Sequence, residues 1–433
     1  MKKRFRITAL CLLFCLMLTA CKDDKGNGST PGTGTTPGNG TAKQMGASTE
    51  TRVFFDPFLY DMTMSESFAF VPAYGDTGAQ YFDTASRTEI LFCFEPNCEH
   101  KAPRYDDLTG EMTGSHCAAK SLRGRAYYLT ADAGYFFSWP NLVKTDRQGL
   151  NQKTIATVEE PIDFIEYEIY TDKYYAATAR ISYEHTKVNN SDGSVTWMQG
   201  APLEKEVAGI LLVSLTDGSS KLIFRDDEHY DALATDLYEY QNHLYFVETY
   251  LDVPFSSLPQ VFDDTDNWEE IELEHRSHFT MELYDYDLAT GKLTMVHRSA
   301  GEGYGFRFGD GFILQYRDSI TGKGSMLYRL NGDVWTGLPW EVSDRVMTDG
   351  TPIFSSYESG VTTYRMYDPD KKELLHEIAV SDSKFHLSVV AGNSYYGSVS
   401  VSWSNGLQPA YITAEDFWNG NFDGAVILHE PQE

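Results

Sequence analysis

The sequence predicts an all-β chain built as a β-propeller, with seven four-stranded blades as the preferred count and six or eight as its neighbours. Three observations carry this. A hairpin phrase, clearest at residues 283–298 (LYDYDLATGKLTMVHR), recurs in variant form along the chain. A second phrase, a small polar turn followed by aromatic or β-branched residues, precedes its copies. Aromatic residues make up 14 % of the chain while apolar stripes at helical spacing are scarce, which favours sheets over helices.

The hairpin phrase reads as an apolar run, a turn at 289–291 and a second run. Asp287 can hydrogen-bond the turn backbone, and Gly291 can take a positive φ without steric cost. One hairpin cannot bury both its faces, so the copies matter. Further copies lie at 80–93, 142–158, 210–224, 326–341, 363–378 and 410–428, which gives seven. The turn-plus-aromatic phrase stands at 65–71, 123–129, 171–177, 241–247, 309–315, 349–354 and 392–396. Such units, repeating every 40 to 70 residues or roughly so, are the pattern of stacked propeller blades. Residues 52–56 (RVFFD) are a candidate strand for the last blade beside 425–429, closing the ring.

The start of the chain carries an address. Lys2, Lys3, Arg4 and Arg6 precede an apolar run at 7–17 that is short for a membrane span, and Leu18-Thr19-Ala20-Cys21 closes it. Small residues before a cysteine resemble a bacterial lipoprotein signal. The resemblance implies that residues 1–20 are removed, that Cys21 is acylated, and that the protein is held on the extracytoplasmic face of the membrane, in the cell envelope. Each buried CH₂ of an acyl chain contributes about 0.8 kcal/mol, so two or three chains anchor stably. Residues 21–49 then form the lipidated cysteine and a tether. Its Gly, Thr, Pro and Asn cannot bury a core, and some 27 such residues reach about 30 Å. Residues 50–433 are read as a single propeller domain.

Net charge is −28, and it becomes −32 (31 basic, 63 acidic) once the four basic residues of 1–20 are removed. So acidic a surface repels phosphate backbones and argues against nucleic acid as a partner. Solubility is the plain meaning of the charge.

Strands of a blade alternate in direction, so the second-to-third-strand connections and the between-blade connections emerge at the same end. Two insertions, 183–206 and 251–278, fall in the first class, and the segment 93–120 falls in the second. All three should crowd one end of the disc, the expected binding face for a glycan, peptide or protein partner. Trp197 and Trp268 sit in the insertions, where each could stack on a sugar or a peptide or simply pack its own loop.

Cys93, Cys98 and Cys117 share that segment with His100. Three thiolates and an imidazole would complete a closed tetrahedral zinc site. One disulfide with a spare thiol, or three unlinked thiols, are the alternatives, and His116 is a competing ligand. The stretch LFCFEPNCEH at 91–100 with CAA at 117–119 resembles a loop of uncharacterised propeller-like lipoproteins of Gram-positive anaerobes, departing from it at Phe92 and in the long spacer 101–116. The resemblance implies a propeller and an anaerobic habitat, which would disfavour disulfides. It implies no activity.

Catalytic motifs are missing: there is no Gly-x-Ser-x-Gly, no His-Glu-x-x-His and no phosphate-binding loop at Thr321-Gly322-Lys323. The glycines of 301–309 (GEGYGFRFG) lack dinucleotide spacing and read as a connection between blades. The acidic stretch 263–274 reads as a solvated loop, and His275 and His278 after it form no recognisable ligand pattern. Carboxylates are too numerous to nominate a catalytic pair, so no catalytic residue is named. The expected function is a binding or scaffolding module, with a carbohydrate-active enzyme or an envelope assembly or sensing component as rivals.

Overall fold

The computed structural model describes residues 54–56, 62–72, 78–94, 98, 104–105, 112–113, 117, 122, 127–130, 132–189, 195–259, 271, 274–275, 277–300, 304–309, 312–317, 325–329, 334–335, 344–348, 351–368, 370–381, 383–401 and 406–428. Cys21, His100, His116, Trp268, the acidic stretch 263–270 and the expected signal and tether lie outside the described residues.

The fold is an all-β propeller with six four-stranded antiparallel blades, each formed by one contiguous stretch of chain. Blade one comprises Tyr127–Leu129, Ala133–Ser138, Asn141–Asp146 and Lys153–Thr157. Blade two comprises Phe164–Tyr170, Tyr174–Asn189, Val195–Ser214 and Ser220–Asp226. Tyr230–Tyr240, His243–Leu251, Phe279–Asp287 and Leu293–Ala300 make blade three. Tyr304–Gly309, Phe312–Arg317, Ser325–Arg329 and Val334–Trp335 make blade four. Blade five is Asp344–Thr348, Ile353–Glu358, Val361–Asp368 and Glu373–Ser381. His386–Ala391, Ser394–Val401, Gly406–Thr413 and Val426–Ile427 form blade six.

The expectation of seven four-stranded blades is therefore corrected to six. The first hairpin copy belongs instead to a five-stranded sheet, Phe54–Asp56, Met62–Met64, Phe68–Val71, Gln80–Asp83 and Thr88–Leu91. The expectation that 52–56 would join the last blade is corrected with it. Phe54–Asp56 pairs antiparallel with Met62–Met64, because a short connection returns it to its own neighbour. On its other side it lies against the innermost strands Phe164–Tyr170 and His386–Ala391, so the fifth strand occupies the centre of the ring.

The ring closes by side-chain packing rather than by a shared strand. Met62, Met64, Ala69, Val71 and Phe82 of the five-stranded sheet pack on Val389, Ala391, Tyr396 and Tyr411 of blade six, together with Leu428. The Tyr396 hydroxyl reaches the Ser65 carbonyl at 2.8 Å and the Phe68 carbonyl at 3.1 Å, and Ser394 Oγ donates to the Glu66 carbonyl at 2.6 Å. The same aromatic packing joins that sheet to blade one, where Phe70, Phe92 and Tyr127 have centroids 4.8 to 5.8 Å apart. Strands held between blades are buried on both faces and read as continuous apolar runs, as in Phe68–Val71. Outer strands, such as Glu373–Ser381, are mostly exposed.

The hairpin logic of residues 283–298 is realised in detail. Asp287 Oδ1 accepts from the amides of Ala289 and Thr290 at 2.8 and 3.2 Å, and Gly291 has φ of 71°. One reading shifts: 304–309 is a strand rather than a connection. The last hairpin, in turn, is interrupted by a short helix, Ala414–Trp418, whose N-cap Thr413 Oγ1 accepts from the Asp416 amide at 3.1 Å. Among the described residues no helix is long and apolar enough to cross a membrane.

Candidate functional site

The insertion at 183–206 is not a loop but a β-ribbon. The second and third strands of blade two run to 16 and 20 residues, pairing from Tyr174↔Ser214 out to Asn189↔Val195. Asp163, in the connection from blade one, pins the root of the ribbon. Its Oδ2 accepts from the amides of Ser182 and Tyr183 at 2.8 and 3.2 Å, and its Oδ1 meets His185 Nε2 at 3.2 Å and Gln199 Nε2 at 3.4 Å. A between-blade connection thus touches a second-to-third-strand insertion, so both emerge at one end of the disc, as strand arithmetic predicts.

Trp197 lies on this ribbon, paired across it with Lys187. Its indole Nε1 donates to the Glu159 carbonyl at 2.8 Å, and its ring packs edge-on against His185. Trp197 therefore fastens the ribbon to the connection below it. Its neighbour Met198 projects into solvent with 61 % of its surface exposed. The second insertion, 251–278, is placed as expected and begins with a 3₁₀ turn at Phe255–Ser257. His275 there contacts the Pro259 carbonyl and His278 pairs with Asp252 at 2.7 Å, so the two imidazoles have separate partners.

The segment after the five-stranded sheet brings Cys93, Cys98 and Cys117 together. Their sulfur atoms all lie within 4.8 Å of one another, with Cys117 fully buried. Three thiols at this separation are the soft donor set that zinc prefers, so the residues fit such an ion. These are three of the four ligands that the sequence nominates. The fourth expected ligand, His100, is outside the described residues.

The structure also assembles a polar cluster that no sequence signal indicated. Ala234, Glu248, Glu282 and Arg298 form one row across the four strands of blade three. That row faces Asp226, the last residue of blade two, and His229 in the connection between them. Asp226, Glu248 and Glu282 are buried, with relative exposures of 7, 1 and 8 %. Asp226 Oδ1 accepts from the Glu228 and His229 amides, and its Oδ2 lies 2.9 Å from His229 Nδ1. Glu282 accepts from the hydroxyls of Tyr250 and Tyr284 at 3.1 and 2.5 Å and meets Arg298 Nε at 3.4 Å. Glu248 Oε1 is buried without a hydrogen-bond partner.

Burial is the main reason the Glu248 carboxyl is pushed up to about 9, reinforced by its hydrogen bond to Asp226 and by the nearby charges of Asp226 and Glu282. Burial works against ionisation of Asp226 too, but the protonated Glu248, the Glu228 amide and His229 together hold Asp226 below its usual range. At neutral pH Glu248 is the acid and Asp226 the carboxylate of a proton-sharing pair. The side chains meet across two blades, and sequence alone cannot show convergence between strands some twenty residues apart or more.

No protein-family model matches the chain, and no curated protein matches it. Among solved structures, an uncharacterized protein of Listeria monocytogenes is similar with a TM-score of 0.39 at 10 % identity, over 65 % of this chain and 76 % of that one. Dipeptidyl peptidase 4 of Porphyromonas gingivalis gives 0.42 at 9 % identity, over 82 % of this chain and 50 % of that one. The acylaminoacyl peptidase of Pyrococcus horikoshii gives 0.44 at 10 % identity, over 86 % of this chain and 51 % of that one. The chain spans about half the length of these two peptidases. Likeness at this level carries no inference about activity.

Proposed function

We propose that this chain is a lipid-anchored, extracytoplasmic propeller that acts as a binding or scaffolding module for a glycan, peptide or protein partner, engaged by the ribbon at 183–206 and the connections around it. The observation that carries the reading is the ribbon itself. Two long paired strands leave the blade, are fastened by Asp163 and Trp197, and hold exposed side chains such as Met198 above the disc. A rigid, projecting element loses little conformational entropy when a partner binds it. The cysteine cluster serves as a structural zinc staple for the neighbouring segment, completed by His100, and Cys21 carries the lipid.

The rival reading, a carbohydrate-active enzyme, would draw on the Asp226–Glu248 pair, since one protonated and one ionised carboxyl are what glycoside hydrolysis uses. With Glu248 1 % exposed between two blades, a sugar ring has no approach to it. The pair therefore speaks for a different role.

The test compares the full chain with a variant whose residues 184–204 are replaced by a two-residue turn, on immobilised envelope polysaccharides and peptides. The reading expects retention by the wild type, loss by the variant, and an unchanged melting temperature. Equal retention of both, or of neither, overturns it. For the anchor, Cys21→Ser should move the protein from the membrane fraction to the soluble one. For the staple, cobalt substitution should give a thiolate-to-metal absorption band that Cys117→Ser abolishes.

A further inference from the structure

We propose that Asp226, His229 and Glu248 form a site for a first-row divalent cation of the Mn²⁺ or Zn²⁺ kind, set between blades two and three beneath the ribbon end of the disc. The first ground is geometric: one ligand atom from each of the three residues lies within 4.8 Å of the other two. Asp226 Oδ2 and His229 Nδ1 are 2.9 Å apart. Two ligands at right angles on bonds of about 2.1 Å would be separated by about 3.0 Å, so this pair already has the spacing of adjacent ligands.

The second ground is independent of the first. Glu248 is 1 % exposed and its Oε1 has no hydrogen-bond partner. A buried, unsatisfied carboxyl oxygen is costly to keep, and an arrangement that retains it lacks an electrophile. The surrounding charge says which. Among the described residues, the three buried carboxyl groups Asp226, Glu248 and Glu282 have one ion pair to a Lys or Arg side chain, that of Glu282 with the largely exposed Arg298. A proton satisfies one carboxyl; a divalent cation offsets two.

The choice of metal follows from the donors. An imidazole nitrogen with carboxylate oxygens suits Mn²⁺ or Zn²⁺, whereas Ca²⁺ takes oxygens alone. The His229 ring is held in place by stacking on Tyr250, with centroids 3.7 Å apart and planes 18° from parallel. Its side chain is 38 % exposed, which gives an ion a way in that the buried carboxylates do not. Glu282, fastened by two tyrosine hydroxyls, stands behind Glu248 as a fixed negative neighbour.

The experiment titrates the chelator-stripped full chain with Mn²⁺, followed by electron paramagnetic resonance and by melting temperature. Mn²⁺ is chosen because the thiols of Cys93, Cys98 and Cys117 are poor ligands for it. One Mn²⁺ per chain with a raised melting temperature is expected. Glu248→Gln and His229→Ala should each weaken binding by about tenfold or more. The partly exposed His229 makes its variant one that keeps its fold should the buried substitution fail. No uptake by the wild type, wild-type affinity in either variant, or complete displacement of Mn²⁺ by excess Ca²⁺ would each overturn the assignment.

Discussion

Glu248 shows how one residue can set the pH response of the whole. Its folded carboxyl titrates near pH 9 against 4.5 for an unburied glutamate, because burial and the Asp226 and Glu282 carboxylates favour the neutral form. A raised folded value means that the stabilisation is complete below about pH 4.5 and drains as pH rises through about 9. With chelator present, stability should fall across that window by up to about 1.4 kcal/mol per pH unit. Glu248→Gln, whose amide never ionises, should flatten the slope and be the more stable protein at pH 8. Urea midpoints at pH 5, 7 and 9 check this, and equal slopes in both proteins would refute it. Other residues carried their role openly. Cys93, Cys98 and Cys117 are close in sequence and end close in space, whereas Asp226 and Glu248 look like any of the 63 acidic residues until two blades are folded together.

At the scale of elements, what was legible is what closes locally. The turn at 287–291 needs only Asp287 and Gly291, both present in order, and every hairpin copy lands on paired strands. The ribbon was legible in position but not in form, because its polar, alternating residues bury no common core and so look like a loop. The helix Ala414–Trp418 had a local signal in Thr413 and Asp416, but it is only five residues long and carries no periodicity to detect. Asp163→Ala should release the ribbon by removing the acceptor of two strand amides. A loss of about 1–3 kcal/mol is expected, with faster proteolysis within 183–206. Limited digestion followed by mass spectrometry reads both; an unchanged cleavage rate would mean that Trp197 alone suffices to hold it. Gly134 makes a stricter demand, since an added Cβ would lie 1.7 Å from the Tyr127 hydroxyl. Gly134→Ala should cost several kcal/mol, seen as a lower urea midpoint, with its main damage in blade one.

For the whole molecule, the sequence count of seven hairpins was sound, and the strand content of the first sheet was not readable from it. Whether 52–56 pairs with the last blade or with its neighbour depends on a contact between chain ends, about which local pattern is silent. Closure rests on packing and on the Tyr396 hydroxyl. Tyr396→Phe keeps the ring while deleting a hydrogen bond to the Ser65 and Phe68 carbonyls, so a loss of about 1–2 kcal/mol and a lower melting temperature are expected. A melting temperature equal to that of the wild type would show that apolar packing alone carries the seam.

Because each blade is a contiguous stretch of chain, and because Met62 and Leu428 share one apolar cluster, the seam is held by packed side chains with no peptide bond across it, whereas blades five and six are also joined by a parallel pairing of Met347 and Thr348 with Val389 and Val390. The ring has no privileged point of entry. Joining the region of residue 428 to that of residue 54 by a short linker, and cutting the chain between blades four and five instead, should yield a circular permutant with the same set of interfaces. In such a rearranged chain the order of synthesis changes while the finished disc does not.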